Sequence, residues 1–229
     1  FWSNNCTALT RFSKDIRITV TEAVTATVGE ALRPRVGLAS QSPRRHSLLR
    51  ELGLDPVPVR AGIDESRHDD ERLTDFIRRL AIEKAQHGAT DPAAAALPVI
   101  GGDTEVCLGE TAFGKPEDAE DVRRMLRELS DRVHQVVSAV AIVRGDVVRV
   151  SHVVTDVRFR ALGDADIDHY IDSGEPFGRA GAYAVQGLGG AFVSHLSGSY
   201  SAVVGLPVYE TANLLREFGI DVLAAGRSA

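Results

Sequence analysis

The sequence predicts an α/β protein built on a mixed, twisted sheet with flanking helices. Apolar strand-like runs and segments of helical period alternate along the 229 residues, the pattern of interleaved strands and helices. Strand-like runs at 133–143, 146–150 and 152–160 follow one another too closely for crossover helices, so part of the sheet must be antiparallel. The chain is 44% hydrophobic and 25% charged, normal for a globular protein. A chain this long buries a proper core, with one domain as the default.

Residues 35–40 read as the first core strand. A helix over 43–52 follows: Ser42 is a good N-cap, Pro43 suits the first helical position, Leu48, Leu49 and Leu52 repeat at helical spacing, and Gly53 sits at the C-terminal cap. A second strand is expected over 57–64, ending in Asp64 and Glu65. Leu73, Phe76, Ile77, Leu80, Ala81 and Ala85 set a helix over 72–87, and the Ala-rich stretch 88–97 reads as a surface loop. Residues 98–109 read as a buried strand that pauses at Gly101-Gly102. Pro116 is expected to open a helix with Val122, Met125, Leu126 and Leu129 on one face. After the three strands of 133–160, a short helix spans 167–171, strands span 181–196 and 201–206 between Gly-rich turns, and a final helix spans 209–218. These elements place one domain over 34–224. Residues 1–33 are expected to be an extension peripheral to function, with a short Val- and Thr-rich strand at 16–28. Arg11 and Lys14 suit a transit peptide, but Asp15, Glu22 and Glu30 argue against one. Asn5-Cys6-Thr7 is a glycosylation sequon by pattern only.

The net charge of −6 offers no broad basic surface to nucleic acid or membrane, so an anion site must be a local pocket. Cys6 and Cys107 are the two cysteines; they build no disulfide framework and fit a reducing, cytoplasmic compartment. No apolar run approaches the ~20 residues of a spanning helix. No GxxxxGK[ST], HExxH or GxSxG motif occurs, and Phe192 interrupts the dinucleotide fingerprint that Gly187 and Gly189 could begin. Any metal would therefore be held by carboxylates, phosphates and water, which suits magnesium or manganese.

Candidate chemistry gathers in a few places. Arg44 and Arg45 fall in the first turn of the 43–52 helix, where the macrodipole favours anions by roughly 0.3–1 kcal/mol per charge. Two cations beside free N–H groups make sense around a phosphate; a solvated basic face is the alternative. Asp103-Thr104 follows two glycines at the end of an apolar strand, where a carboxylate can bind a metal or act as a base, or merely cap a turn. Lys115 precedes a helix and can meet an anion. Lys84, in a helix after Glu83, by itself reads as a surface lysine. Glu65 can hold a divalent cation or be simply solvated. Residues 174–190 hold six glycines with one Glu, Arg, Tyr and Gln, a density that marks close contact with a ligand or another backbone. The Gln186 amide can read a nucleobase edge, unless a bulged hairpin turns it outward.

In order along residues 35–220, ASQSPRRHSLL (39–49), IDES (63–66), Lys84-Ala85, GGDTEV (101–106), GKP (114–116), AEDVRRMLRELSDRVHQV (119–136), TDVRFRAL (155–162), GEPFGRAGAYAVQG (174–187) and GSYSAVVGLP (198–207) resemble the Maf family of nucleotide pyrophosphatases, relatives of the inosine-triphosphate pyrophosphatases. AYAVQG resembles the subfamily acting on dTTP and UTP. The resemblance implies an elongated, two-lobed α/β fold with a central cleft, a homodimer, a divalent metal (Mg²⁺ or Mn²⁺) and hydrolysis of the triphosphate to monophosphate and pyrophosphate. It implies Asp103 as general base and, with Glu65, metal ligand. Arg44, Thr104 and Gln186 fall at positions linked to substrate choice. Arg45, Lys84 and Lys115 match basic residues around the triphosphate, and Ser40 another site position. The family's septum-formation label implies an alternative, a catalytically weak nucleotide-binding regulator of cell division. Gly178 stands where the family usually has Asp, Arg179 where it has Lys, Asp131 where it has Gly and Ser138 where it has Thr.

Overall fold

A computed structural model describes residues 33–225. The extension over 1–33, the strand at 16–28 and Cys6 therefore fall, but for Arg33, outside the described residues. Strand β1 (Arg35–Ala39) leads into helix α1 (Pro43–Glu51), whose Ser42 Oγ accepts from the Arg45 amide at 3.5 Å. Gly53 closes the helix at φ +78, a left-handed conformation that glycine adopts freely. β2 (Asp55–Pro58) pairs parallel with β1. The strand expected over 57–64 is thus earlier and shorter, because the charged run from Asp64 to Glu71 has no apolar face to lay on the sheet.

Helix α2 (Leu73–Ala89) packs on β3 (Val99–Leu108) and β5 (Val133–Arg144). Its apolar face buries Phe76, Ile77, Leu80, Ala81 and Ala85 against Ala139, Ala141 and Val143. The expected pause at Gly101-Gly102 does not occur; β3 runs straight through. The glycine at 101 serves the layer instead: a Cβ there would overlap the Ala81 carbonyl and the Ala85 amide of α2. β4 (Thr111–Phe113) forms a short hairpin with β3, an element the periodicity did not disclose. Helix α3 (Ala119–Leu129) begins three residues after Pro116, because the Asp118 side chain accepts from the Asp121 amide at 2.9 Å and sets the cap there.

The runs at 146–150 and 152–160 are one strand, β6 (Val147–Phe159), paired with β5 from end to end. Helix α4 (Asp164–Asp172) follows. The strand expected over 181–196 is confined to β7 (Val193–Ser197); the preceding chain forms 3₁₀ turns at Ala180–Ala182 and Leu188–Phe192. Residues expected as a strand at 201–206 instead form helix α5 (Tyr200–Val204), because the Ser199 hydroxyl caps the Ala202 amide at 3.3 Å. Helices α6 (Val208–Glu217) and α7 (Val222–Ala225) complete the described chain.

The seven-stranded sheet has the order β2-β1-β3-β5-β6-β7, with β4 beside β3. It is mixed: β1 runs parallel to β2 and β3, and the other pairs are antiparallel. Away from α2, one cluster joins Ile100, Val140 and Ile142 to Leu49, Leu215 and Phe218. A second joins Val106 and Val136 to Leu126, Phe159 and Tyr170. Between these clusters lie Thr104 and Ser138, directly paired. One register detail positions the site. β1 pairs with β3 only as far as Ala39↔Gly101, and β4 begins at Val106↔Phe113. Residues 102–105 therefore have a strand neighbour, β5, on one side only, and the sheet edge is open there.

Candidate active site

A cavity of about 690 Å³ occupies this opening. Ser40, Arg44, Arg45, Glu65, Lys84, Asp103, Thr104, Lys115 and Gln186 all line it. Asp103 lies within β3 rather than at its end or in a turn; what ends beside it is β1. The strand-end site of open α/β sheets is thus reproduced by the shorter neighbour.

Arg45 crosses the middle of the opening. Its Nε donates to the Gly205 carbonyl at 2.8 Å, Nη1 to Ser40 Oγ at 3.1 Å and Nη2 to Thr104 Oγ1 at 3.3 Å. Gly102 leaves the space: a Cβ there would lie 3.3 Å from Arg45 Nε. Arg44 Nε donates to the Val204 carbonyl at 3.1 Å. Both arginines thus leave the N-terminus of α1 and anchor on carbonyls at the C-terminal end of α5, orphan acceptors of a helix terminus. Burial holds the Arg45 pKa below the ordinary arginine value, with Asp103 and Glu65 pulling the other way. Thr104 Oγ1 also lies 2.8 Å from Ser138 Oγ.

Lys84 is 6% exposed and no surface lysine. Its Nζ lies 2.7 Å from Asp103 Oδ1 and 2.9 Å from Glu65 Oε1. Asp103 is itself 8% exposed, whereas the Glu65 side chain is 57% exposed. The ammonium ties the α2 layer, the sheet and the 59–72 loop into one charged cluster. Arg45 with Ser40 and Thr104, and Lys84 with Asp103 and Glu65, form two bonded groups, while Arg44, Lys115 and Gln186 line the cavity apart from both.

A cavity with one buried carboxylate and several cations on its walls has the charges that suit a polyanion. A family model described as Maf-like protein matches residues 35–218. The chain belongs to the Maf family. A dTTP/UTP pyrophosphatase of Chromobacterium violaceum is 48% identical over 191 residues, covering 82% of this chain and 96% of that protein. One of Bordetella pertussis is 47% identical over 196 residues, covering 82% and 95%, and one of Escherichia coli O6:K15:H31 is 49% identical over 181 residues, covering 79% and 91%. A solved structure of the Staphylococcus aureus Ham1 protein overlaps with a TM-score of 0.39 at 17% identity, covering 55% of this chain and 71% of that one.

In this Maf chain, several wall residues carried no role in the sequence reading, Glu105, Phe177, Arg179 and Tyr183 among them. Glu105 stands two residues after Asp103 and so on the same face of β3, a signal that was available. Burial, then the Asp103 charge, pushes its pKa up to about 8, with Lys115 opposing. Phe177, Arg179 and Tyr183 line the same cavity as Gln186. Gln186 is exposed but sits on the cavity rim, in a turn rather than a bulged hairpin. Of the departures from the Maf pattern, Gly178 also lines the cavity; at φ +74 a Cβ there meets nothing within 4 Å, so the missing carboxylate leaves space. Asp131 takes φ +54, which explains the usual glycine.

Among the described residues no group of three or more His, Cys, Asp and Glu is arranged to hold a metal ion. The acidic donors in the cavity are all oxygen, and Lys84 engages one oxygen each of Asp103 and Glu65. This set fits a hard divalent cation shared with phosphate oxygens and water, as magnesium is held in nucleotide sites, rather than a closed protein cage. Among the described residues no helix is long and apolar enough to cross a membrane.

Proposed function

We propose that this Maf chain is a nucleoside triphosphate pyrophosphatase that hydrolyses dTTP and UTP to the monophosphate and pyrophosphate. The relatives named dTTP/UTP pyrophosphatase support the substrate class. The observation that carries the reading in this chain is buried Asp103 in a cavity also lined by Arg44, Arg45, Lys84 and Lys115.

Arg44, Arg45 and Lys115 neutralise the triphosphate. Arg45 is already bonded through Nε, Nη1 and Nη2, so its charge is in place before substrate arrives and needs no reorganisation during reaction. Asp103 Oδ1 is held by Lys84. The other oxygen orients a water and accepts its proton as that water attacks phosphorus and the P–O bond between the α and β phosphates breaks, pyrophosphate leaving with the electron pair. Asp103 and Glu65 would hold a divalent cation, Mg²⁺ or Mn²⁺, which supplies charge neutralisation on the phosphates. Gln186 reads the O4 acceptor and N3 donor shared by thymine and uracil; cytosine reverses both groups, and an amide that flips admits CTP in part. Thr104, bonded to Arg45, and Ser40 hold the cation that meets the phosphates.

Residues 34–224 form the catalytic domain in this reading, with 1–33 peripheral to it. The protein acts in the cytoplasm as a homodimer, without nucleic acid or membrane as partner. A catalytically weak regulator of cell division is not favoured, because such a chain has no need of Asp103 beside four cations. The test is pyrophosphate release from dTTP, UTP, CTP, ATP and GTP with magnesium or manganese. Release fastest with dTTP and UTP is expected. Nucleotide binding without release from any of the five would overturn the enzyme reading, and a preference for GTP would overturn the substrate.

A further inference from the structure

The carboxylate of Glu175 lies outside the proposed chemistry, yet it organises the segment that carries Gln186. Its Oε2 accepts from the Leu188 amide at 2.9 Å; its Oε1 accepts from the Gly189 amide at 3.0 Å and from the Tyr170 hydroxyl at 2.8 Å. The same Tyr170 oxygen accepts from the Ala184 amide at 3.1 Å. One carboxylate and one phenol thus hold the backbone two residues before Gln186 and two and three residues after it. Tyr170 is fixed from behind, edge-on to Phe192 with ring centroids 4.9 Å apart.

The glycines of this segment answer to the same pair. A Cβ at Gly187 would overlap the Glu175 carboxylate, and one at Gly189 would lie 2.7 Å from the Tyr170 hydroxyl. Residues 187–189 are therefore shaped around Glu175 and Tyr170. Amide groups that would otherwise pair in a sheet are turned inward to the carboxylate, and charge-assisted bonds of this kind are among the stronger ones.

We propose that Glu175, with Tyr170, is a positioning residue for nucleobase selection: it clasps the 184–189 turn so that the Gln186 amide is presented to the base at one fixed position. The proposal rests on the reading that Gln186 contacts the base. Glu175 touches neither phosphates nor the attacking water; it acts through the backbone on both sides of Gln186. A loosened turn lets Gln186 meet purine and pyrimidine edges alike, so discrimination falls.

The experiment measures kcat/KM for dTTP and GTP, and inhibition by inorganic tripolyphosphate, in wild type, Glu175→Gln, Gln186→Ala and the double variant. Glu175→Gln is expected to lower the dTTP/GTP ratio by about tenfold, the scale of one pocket contact, while tripolyphosphate inhibition stays within about twofold because the phosphate end is untouched. A merely structural role would lower the active fraction and move both nucleotides together. The double variant is expected to match Gln186→Ala alone, because the clasp has nothing left to position. Where Glu175→Gln fails to fold, Tyr170→Phe keeps the ring against Phe192 and removes only the hydroxyl, with the same expected loss of ratio. If Gln186→Ala lowers the ratio and both clasp variants leave it unchanged, the clasp is wrong and the base reading stands. If Gln186→Ala leaves it unchanged, the base reading fails and the proposal with it. Additive losses in the double variant would also overturn the proposal, since Glu175 would then act independently of Gln186.

Discussion

Lys84 Nζ lies 2.7 Å from Asp103 Oδ1 with both side chains almost out of water. The pair joins helix α2 to strand β3, and it makes each residue depend on the other. Removing one partner of a buried pair strands the other charge, at a typical cost of about 3–5 kcal/mol. Lys84→Met is therefore expected to lose about 3 kcal/mol in urea unfolding, less than the full range because Glu65 and Asp103 keep some access to water through the cavity. Adding Asp103→Leu is expected to recover most of the loss. A Lys84→Met variant as stable as wild type would show that the pair does not bind the two layers.

Asp103→Asn keeps the side chain's shape but removes the charge that accepts a proton in the proposed reaction. Turnover is expected to fall by roughly 100-fold or more, the scale of a positioned general base, with the folded state intact by circular dichroism. Near-normal pyrophosphate release in the folded variant would end the assignment of Asp103 to the chemistry.

Lys115→Ala and Arg45→Ala remove charge from the cavity walls that meet the phosphates in the proposed reaction. Every nucleotide carries those phosphates, so kcat/KM is expected to fall for dTTP, UTP, CTP and GTP by similar factors, while EDTA abolishes release in all. A changed ranking of bases at unchanged overall rate would place the altered residue at the base instead.

His134 gives a pH dependence of stability. It is 1% exposed, its ring nitrogen Nε2 lies 2.9 Å from the Tyr183 hydroxyl, and among the described residues Nδ1 has no partner. Burial pulls its pKa down to about 4 from 6.5. The folded state thus refuses a proton that the unfolded chain accepts. The contribution is fully present above about pH 6.5 and is lost progressively as pH falls to about 4, amounting to about 3 kcal/mol across that window. Urea midpoints measured at pH 7.5, 6, 5 and 4 are expected to fall less steeply in His134→Gln than in wild type. Parallel curves would show that His134 does not titrate with unfolding.

Much of the fold was legible because its signals are local, and the nine residues expected at the site all line one cavity. Ser42, Pro43 and Gly53 bound a helix by capping chemistry within a few residues, and the apolar run within 133–143 marks β5 as a strand buried along most of its length. The expectations that failed share a different cause. Asp118 outcompeted Pro116 as the start of α3, Ser199 capped a helix where Val203 and Val204 suggested a strand, and Glu175 recruited the amides of 188 and 189 away from sheet pairing. In each case a side-chain acceptor met backbone amides, a competition that hydropathy alone does not weigh.

Periodicity and caps, both short-range, were enough to establish an α/β chain, and the order of motifs was enough to propose a polyanion site around Asp103. Burial of Lys84, the anchoring of Arg44 and Arg45 on α5, and the opening at residues 102–105 depended on partners far away in the chain. Lys84 meets Asp103 because Gly101 lets α2 approach the sheet, and the cleft exists because β1 stops at Ala39 while β3 continues. Such features belong to the register and spacing of whole elements, and the residues that they join carry no mark of it in their own neighbourhoods.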